Sequence, residues 1–233
     1  AARALLNPGS SAVASCHAFV VYKIVTQSSG ATLIEVPTLD WGHNLEAFPA
    51  NIRDDTKVIF IANPNNPTGT YNSHEEVHCL LKNIPSSILV VLDCAYFEYV
   101  KKSDYVDPLA LLNEFDNLLV TKSFSKIQGL ASARIGYGIG QPELIEVLNR
   151  IRQPFNVNSF AQELACEAIN DKEHIKKSID LNLAEGAFLF AELTHLGLEC
   201  IPSVGNFISF KGNFNGKEMF TSLMEKGVVV RPI

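Results

Sequence analysis

The sequence predicts an α/β fold with a mostly parallel sheet. Short apolar runs alternate along the chain with helix-length segments, the pattern of repeated strand–helix–strand units. Within most of these runs the apolar residues follow one another without a polar alternate, as in strands buried on both faces. The 233 residues are 47% hydrophobic and 19% charged, which is typical of a chain that buries a core and not of a disordered one.

The first part of the chain is predicted to contain five strands separated by helices. The predicted strands are 31–36, 57–62, 87–93, 117–122 and 134–140, and the predicted helices are 19–28, 73–83, 107–115 and 142–152. Ser73 and Glu76 have the spacing of a capping box, which marks a helix start. Pro142 is suited to a first helical turn, because its missing N–H has no partner there in any helix.

Beyond residue 155 the pattern changes to two helices followed by short elements. The helices are predicted over 159–170 and 171–196, and Gly197 is typical of a helix end. Strands at 199–201, 206–211 and 228–231 and a helix at 216–226 complete the chain. We therefore predict a large domain over 1–155, connecting helices over 156–196, and the start of a smaller α/β domain over 197–233.

Charge, apolar runs and cysteines exclude several classes of protein. With 19 basic against 25 acidic residues the net charge is −6, so no basic surplus exists to neutralise nucleic-acid phosphates. No apolar run approaches the length of about 20 residues that a membrane span needs. The five cysteines are scattered without a C-x-x-C pair, which indicates reduced thiols and a cytoplasmic protein. His74 and His78 have helical metal-ligand spacing but no third ligand, so no metal site is predicted.

Polar side chains follow three of the predicted strands, where ligands bind in open α/β sheets. Strand 57–62 is followed by the sequence NPNNPTG at residues 63–69, strand 87–93 ends at Asp93 with Tyr96 close behind, and strand 117–122 is followed by Ser123, Ser125 and Lys126. The two prolines of NPNNPTG restrict the backbone on both sides of Asn66, more than a plain turn requires. Taken singly, Asp93 could cap a helix, Lys126 could be a solvated charge, and Arg134 could pair with an acidic neighbour.

One cofactor accounts for all these residues together. A lysine such as Lys126 forms a Schiff base with the aldehyde of pyridoxal phosphate, whose pyridinium nitrogen needs a carboxylate such as Asp93. Hydrogen-bond donors for its phenolic oxygen, hydroxyls and a guanidinium for its phosphate, and an aromatic face for its ring are also available. These further candidates are Asn66 and Tyr96, then Ser123, Ser125 and Arg134, and finally Phe19.

The combined motifs resemble the class II aminotransferases of fold type I. NPNNPTG is followed by Asp93-x-x-Tyr96, then by Ser123-x-Ser125-Lys126, with Arg134 eight residues after the lysine. Within that group the sequence is most similar to the histidinol-phosphate aminotransferase family, both in SFSKIQGLASARIGY around the lysine and in AFVVYKIVTQ near the start. The resemblance runs through the whole chain in order.

The resemblance implies a large domain of the PLP-dependent transferase-like fold and a homodimeric enzyme. It implies transamination between histidinol phosphate and 2-oxoglutarate in histidine biosynthesis, through an internal aldimine on Lys126, which then moves the proton between Cα and C4′. It assigns cofactor binding to Phe19, Asn66, Asp93, Tyr96, Ser123, Ser125, Lys126 and Arg134, and the substrate's phosphate end to Arg231. The partners it implies are a small amino donor and a 2-oxo acid, with neither nucleic acid nor membrane.

The sequence also departs from the family pattern. Cys94 stands where the family usually has Glu, with Asp93 and Tyr96 still in register. The family's phosphate-binding turn and N-terminal arm are expected before residue 1, and its carboxylate-binding arginine after residue 233. We therefore expect a fragment that is weakly active or inactive by itself, from a parent protein that is an active enzyme. An aminotransferase for aromatic or acidic amino acids, a PLP decarboxylase of an amino-acid phosphate, and a non-catalytic PLP-fold module are the alternatives.

Overall fold

The computed structural model describes residues 1–233, which form eight α-helices and eight strands. The strands are β1 (Ser11–Ser15), β2 (Thr32–Val36), β3 (Thr56–Ala62), β4 (Leu89–Asp93), β5 (Leu118–Ser123), β6 (Gly136–Ile139), β7 (Glu199–Cys200) and β8 (Phe210–Lys211). The helices are α1 (Ala2–Leu5), α2 (Val20–Ser28), α3 (His74–Lys82), α4 (Pro108–Leu112), α5 (Pro142–Arg150), α6 (Ser159–Ala168), α7 (Lys172–His195) and α8 (Gly216–Glu225).

Six strands form one sheet in the order β2-β1-β3-β4-β5-β6. The first five strands run parallel, and β6 is antiparallel to β5 at the edge. The carboxyl ends of the five parallel strands therefore lie at the same edge of the sheet, where a ligand site is expected. The predicted α/β fold with a mostly parallel sheet is confirmed.

Both faces of this sheet are covered, which explains the uninterrupted apolar runs. On one face Ile59 and Ile61 of β3 belong to a core of 19 buried residues that also includes Leu81 of α3. On the other face Val58 and Phe60 of the same strand belong to a core of 11 buried residues together with residues from α2 and its neighbours. Successive residues of β3 thus face opposite helix layers, so neither face of the strand is polar.

β1 was not predicted from the sequence, although it lies inside the sheet between β2 and β3. All five of its residues, Ser11-Ala-Val-Ala-Ser15, are buried. Small residues and serines carry little β propensity, so the pattern of the segment did not distinguish it from a loop. Its position between helix-covered faces leaves little space, which small side chains fit.

The strand predicted at 228–231 is wrong. This segment follows α8 without a ladder partner, and Val229 is 78% exposed. An apolar β-branched run predicts a strand, but a strand also needs a neighbour for its backbone groups. The predicted strands at 199–201 and 206–211 are shorter than expected and pair antiparallel as β7 and β8, apart from the large sheet. The domain boundaries at 155 and 196 stay a prediction.

The helices are too short or too polar to cross a lipid bilayer.

Candidate functional site

Five of the predicted site residues line one small cavity at the carboxyl edge of the sheet. The cavity has a volume of about 50 Å³. It is lined by Phe19, Ala62, Pro64, Asn66, Asp93, Ala95, Tyr96 and Lys126. The predicted stacking residue, the carboxylate, both phenolic-oxygen donors and the lysine are thus brought together, whereas Ser123, Ser125, Arg134 and Arg231 lie outside this cavity.

Strand register explains why Asp93 and the NPNNPTG segment meet. Ala62 at the end of β3 pairs with Asp93 at the end of β4, and the N–H of Asn63 donates to the Asp93 carbonyl at 2.9 Å. The segment of residues 63–69, here called the asparagine loop, therefore begins beside the carboxylate. Two adjacent parallel strands thus deliver both groups to one place.

Asp93 is held by two donors in a buried environment. The Tyr22 hydroxyl donates to Asp93 Oδ2 at 2.9 Å, and the Ala95 N–H donates to Oδ1 at 3.2 Å. Burial raises the pKa of the Asp93 carboxyl, while the Tyr22 hydrogen bond and the positive charge of Lys126 act in the opposite direction. A cation placed against this carboxylate would lower its pKa and be stabilised in return.

Tyr22 is a site residue that the sequence analysis missed. Its ring stacks on Phe60 at a centroid distance of 4.9 Å, and burial, followed by the charge of Asp93, raises its pKa well above the ordinary value. The phenol therefore stays protonated and remains a donor. One signal was available: Tyr22 follows Phe19 by three positions in a helix, a spacing that places two residues on the same face.

The three asparagines of the asparagine loop have different tasks. Asn63 exchanges two hydrogen bonds with the backbone of Asn72, at 2.9 and 3.0 Å, and Asn65 donates to the His17 carbonyl at 2.7 Å. Asn66 alone turns its amide to the cavity, where it donates to the Tyr96 hydroxyl at 3.1 Å. The first and third residues of NPNNPTG fix the loop, and the fourth is available for chemistry.

Lys126 lines the same cavity as Asn66 and Asp93. Its Nζ is 5.0 Å from the centroid of the Tyr96 ring. The next residue, Ile127, is buried, and its carbonyl accepts a hydrogen bond from His174 Nε2 at 2.9 Å, which fastens the lysine segment to α7. The backbone next to Lys126 is thus anchored to α7 by this hydrogen bond.

Ser123, Ser125 and Arg134 form a second polar group next to Lys126 in the chain. Ser123 Oγ accepts the Ser125 N–H at 3.0 Å, and Arg134 Nη1 lies 3.5 Å from Ser125 Oγ. The prediction that Arg134 opens a strand is wrong: it follows a short 3₁₀ turn at Ala131–Ala133 with a left-handed φ of 54°, and β6 begins at Gly136. Two hydroxyls and a guanidinium there suit an anion.

Arg231 lines a larger cavity of about 560 Å³ that adjoins the first one. Asn66 borders both cavities, and the larger one is otherwise bounded in part by Trp41, Phe207 and Ser209. Arg231 itself is exposed. The predicted substrate residue is therefore near the asparagine loop, outside the small cavity that holds the lysine.

Two buried titratable residues, His43 and Cys94, lie next to residues that line the site. His43 Nε2 donates to the Ala62 carbonyl at 2.8 Å, Nδ1 and Ser15 Oγ are 2.6 Å apart, and burial lowers the pKa of His43 to about 4. Burial raises the pKa of the Cys94 thiol, so this residue is a neutral member of the core. Both groups are uncharged at neutral pH and belong to the frame of the site.

The chain is similar in sequence to known proteins along its whole length. A sequence profile of the aminotransferase class I and II family matches residues 1–233. Histidinol-phosphate aminotransferase 2 of Pseudomonas fluorescens is 50% identical over 232 residues, and that of Ralstonia nicotianae is 46% identical over 236 residues. Both comparisons cover all of this chain and 63% of the relative, so the chain spans slightly less than two thirds of these proteins.

Solved structures give the same fold. The histidinol-phosphate aminotransferase of Sinorhizobium meliloti in complex with pyridoxal 5′-phosphate has a TM-score of 0.92 and 27% identity, covering 99% of this chain and 64% of that chain. Aspartate aminotransferase of Thermus thermophilus with maleate has a TM-score of 0.88 at 22% identity, with coverages of 99% and 64%. The predicted PLP-dependent transferase-like fold is confirmed.

Proposed function

The chain belongs to the class I and II aminotransferases, and on that premise we propose that the protein is a pyridoxal 5′-phosphate-dependent aminotransferase in which Lys126 binds the cofactor's aldehyde covalently. The substrates we propose are histidinol phosphate and 2-oxoglutarate, in histidine biosynthesis. The names of the relatives with 46–50% identity support histidinol phosphate as the amino donor, and 2-oxoglutarate is what the family resemblance implies.

The observation that carries the proposal is the set of side chains that line the small cavity together with Lys126. An amine, a carboxylate, an amide and a phenol line one cavity of about 50 Å³, contributed by Lys126, Asp93, Asn66 and Tyr96. A structural ion pair would need only the first two groups. The full set matches an aldehyde carbon, a pyridine nitrogen and a phenolic oxygen on a single ring, so the side chains present fit this cofactor.

When bound, pyridoxal phosphate supplies an electron sink for the bond that breaks at the substrate's Cα. Asp93 would keep a proton on the pyridine nitrogen; burial raises the pKa of the Asp93 carboxyl, and the Tyr22 hydrogen bond opposes this rise. Asn66 and Tyr96 donate to the phenolic oxygen, and Phe19 packs on the ring. Lys126 would move the proton between Cα of the substrate and C4′ of the cofactor.

The phosphate of the cofactor and the phosphate of the substrate are assigned to two other sets of side chains. Ser123, Ser125 and Arg134 bind the cofactor phosphate, in keeping with the 3.5 Å approach of Arg134 to Ser125. Arg231 binds the phosphate of the substrate from the larger cavity, which borders Asn66. A guanidinium suits both tasks, since it offers several N–H donors to one phosphate.

Assembly and location are part of the same proposal. A homodimer is expected from the family, whose sites form between subunits. A cytoplasmic location is expected from the cysteines, all five of which are free thiols.

The test is an absorbance titration of the full-length protein with pyridoxal phosphate, followed by separate additions of histidinol phosphate, aspartate and an aromatic amino acid. We expect a visible band that bleaches with histidinol phosphate. Bleaching with only the other donors would move the substrate to another aminotransferase class, and a band that is never bleached by any donor would indicate a non-catalytic module.

Variants at two lysines make the test specific. Lys126→Ala should abolish the visible band and lower kcat by about 10³-fold or more, since a positioned proton-transfer group contributes about 10²–10⁴. Lys101→Ala, which removes an exposed lysine outside the site, is the matched control and should retain both. A normal band in Lys126→Ala would contradict the proposal.

A further inference from the structure

A segment far along the chain lies directly against the asparagine loop. This segment, residues 203–209, connects β7 to β8 and is here called the docking segment. The Ser209 hydroxyl donates to the Pro67 carbonyl at 2.6 Å, and the Val204 N–H donates to the Gly69 carbonyl at 2.8 Å. Two hydrogen bonds therefore join segments that lie 142 and 135 residues apart along the chain.

The same segment also touches Tyr96. The Phe207 ring packs edge-on against the Tyr96 ring, at a centroid distance of 5.2 Å and an interplanar angle of 77°. Phe207 further packs against the small buried cluster that contains Tyr96, Ile127 and Ile179. The docking segment thus contacts Tyr96 directly, and it contacts Pro67, the residue that follows Asn66.

The contact is close because position 69 carries no side chain. Gly69 has a φ of +76°, and a Cβ added there would lie 2.5 Å from Ser203 Cβ and 3.1 Å from Ser203 Cα. Any other residue would push the two segments apart. A close approach of backbone to backbone is therefore built into the NPNNPTG sequence.

The docking segment is itself braced on its far side. Asn182 of α7 donates to the Gly205 carbonyl at 3.1 Å, and the Ile201 N–H donates to the Ser209 carbonyl at 2.8 Å. The Ser203 hydroxyl accepts the Gly205 N–H at 3.1 Å. Ser209 thus contacts the asparagine loop from a turn that is stabilised by its own internal hydrogen bonds.

We propose that Ser209 is a positioning residue, whose hydrogen bond to Pro67 holds Asn66 in line with Tyr96 so that both donate to the phenolic oxygen of the cofactor. The inference rests on the proposed function for its chemistry. The contact itself is a property of the chain without cofactor, so the two can be tested separately.

The expected effect has a definite direction. Donors at the phenolic oxygen stabilise its negative charge and weaken its hold on the proton of the neighbouring nitrogen that joins lysine and cofactor. Loosening Asn66 should therefore raise the pKa at which the cofactor's visible absorbance titrates. A shift of roughly half a pH unit corresponds to weakening one ordinary hydrogen bond.

The experiment compares Ser209→Ala with two partner variants in the full-length protein. Ser209→Thr keeps the hydroxyl and should behave as the parent does. Thr221→Val removes a hydroxyl-to-carbonyl hydrogen bond in α8 and is the control for a bond lost away from the loop. Amide hydrogen exchange is measured without cofactor, and the pH titration of the visible band with it.

In Ser209→Ala we expect faster exchange, by about fivefold, at the Gly69 and Val204 amides, and a raised absorbance pKa. Unchanged exchange at these amides would overturn the inference whether or not the protein binds the cofactor. Faster exchange with an unchanged absorbance pKa would also overturn it, because the contact would then be structural only. A parent protein that forms no visible band would refute the proposed function, while the exchange data would still decide on the contact.

Discussion

The Tyr22 hydroxyl donates a 2.9 Å hydrogen bond to Asp93, a residue 71 positions further along the chain. Tyr22 lies on α2, the helix that follows β1, and Asp93 lies at the end of β4; in the sheet, β1 and β4 are separated by β3. Because burial alone raises the pKa of Asp93, the phenol helps to keep the carboxylate ionised where a positive partner is expected. Tyr22 thus stabilises the ionised carboxylate of Asp93 while its own phenol stays neutral.

Replacing Tyr22 by Phe should weaken cofactor binding without disturbing the fold. The variant keeps the ring that stacks on Phe60 and removes only the donor to Asp93. A hydrogen bond to a charged group is worth about 1.5–3 kcal/mol, so the Kd for pyridoxal phosphate should rise by about 10- to 100-fold. The measurement is a fluorescence or absorbance titration of the cofactor-free protein.

Tyr71→Phe is the matched control for that variant. Tyr71 also donates to an aspartate, Asp104, at 3.0 Å, but on the exposed side of the molecule and away from the site. Its loss should leave the Kd unchanged. Equal effects of the two substitutions would mean that Tyr22 acts through general stability.

His43 should make the stability of the protein depend on pH between about 6.5 and 4. In the folded protein its pKa is lowered from 6.5 to about 4 by burial, whereas the unfolded chain takes up the proton near 6.5. As the pH falls through this window the unfolded state gains the proton first, so stability is lost, by about 3 kcal/mol in total. Above pH 6.5 this contribution is fully present.

Denaturant unfolding at pH 7 and pH 4.5 measures the effect, compared between the parent and His43→Gln. Gln retains a donor but does not titrate, so the loss between the two pH values should be smaller in the variant. His195→Gln removes an exposed histidine and should leave the pH dependence as in the parent. A pH dependence that His43→Gln leaves intact would contradict the assignment.

Gly69→Ala should damage both stability and activity. The added methyl group meets Ser203, and a φ of +76° is unfavourable for alanine. We expect a lower melting temperature and a loss of about 1–3 kcal/mol in unfolding free energy, the usual cost of overpacking. Gly186→Ala, at a helix position where a Cβ meets nothing within 4 Å, is the control and should be neutral or stabilising.

Ser73→Ala should cost about 1 kcal/mol of stability. Ser73 Oγ accepts the Glu76 N–H at 3.3 Å, and Glu76 returns a hydrogen bond by accepting the Ser73 N–H at 2.7 Å, so the capping box predicted for α3 is formed. Ser86→Ala, in an exposed loop, should change nothing measurable. Equal unfolding free energies for the two variants would show that the cap contributes nothing.

The helices and strands that were predicted correctly are those whose formation depends mainly on residues close together in the sequence. The strands predicted at the positions of β2 to β5 carry apolar runs rich in Val, Ile and Leu, and the start of α3 has its cap within four residues. β1 escaped prediction because its five residues are small, and the strand at 228–231 was wrong because pairing depends on a partner that no local pattern contains. The first error concerns β propensity, and the second concerns strand pairing.

Some residues of the candidate site could likewise be predicted from the local sequence, and others could not. Lys126, Asp93 and Asn66 could be predicted because each follows a strand end in a recognisable motif. Phe207 and Ser209 gave no such signal, since their contacts to Tyr96 and Pro67 join segments more than a hundred residues apart. Only the three-dimensional structure brings them together.

The parallel order β2-β1-β3-β4-β5 also has a consequence for how the protein folds. Each parallel pairing requires a crossover, and contacts between distant segments form slowly because long loops must close first. Phe19, Asn66, Asp93 and Lys126 follow four different strands, so they meet only after those strands have aligned. We therefore expect cofactor uptake during refolding to follow the alignment of these four strands, so that its rate would report on this step of sheet assembly.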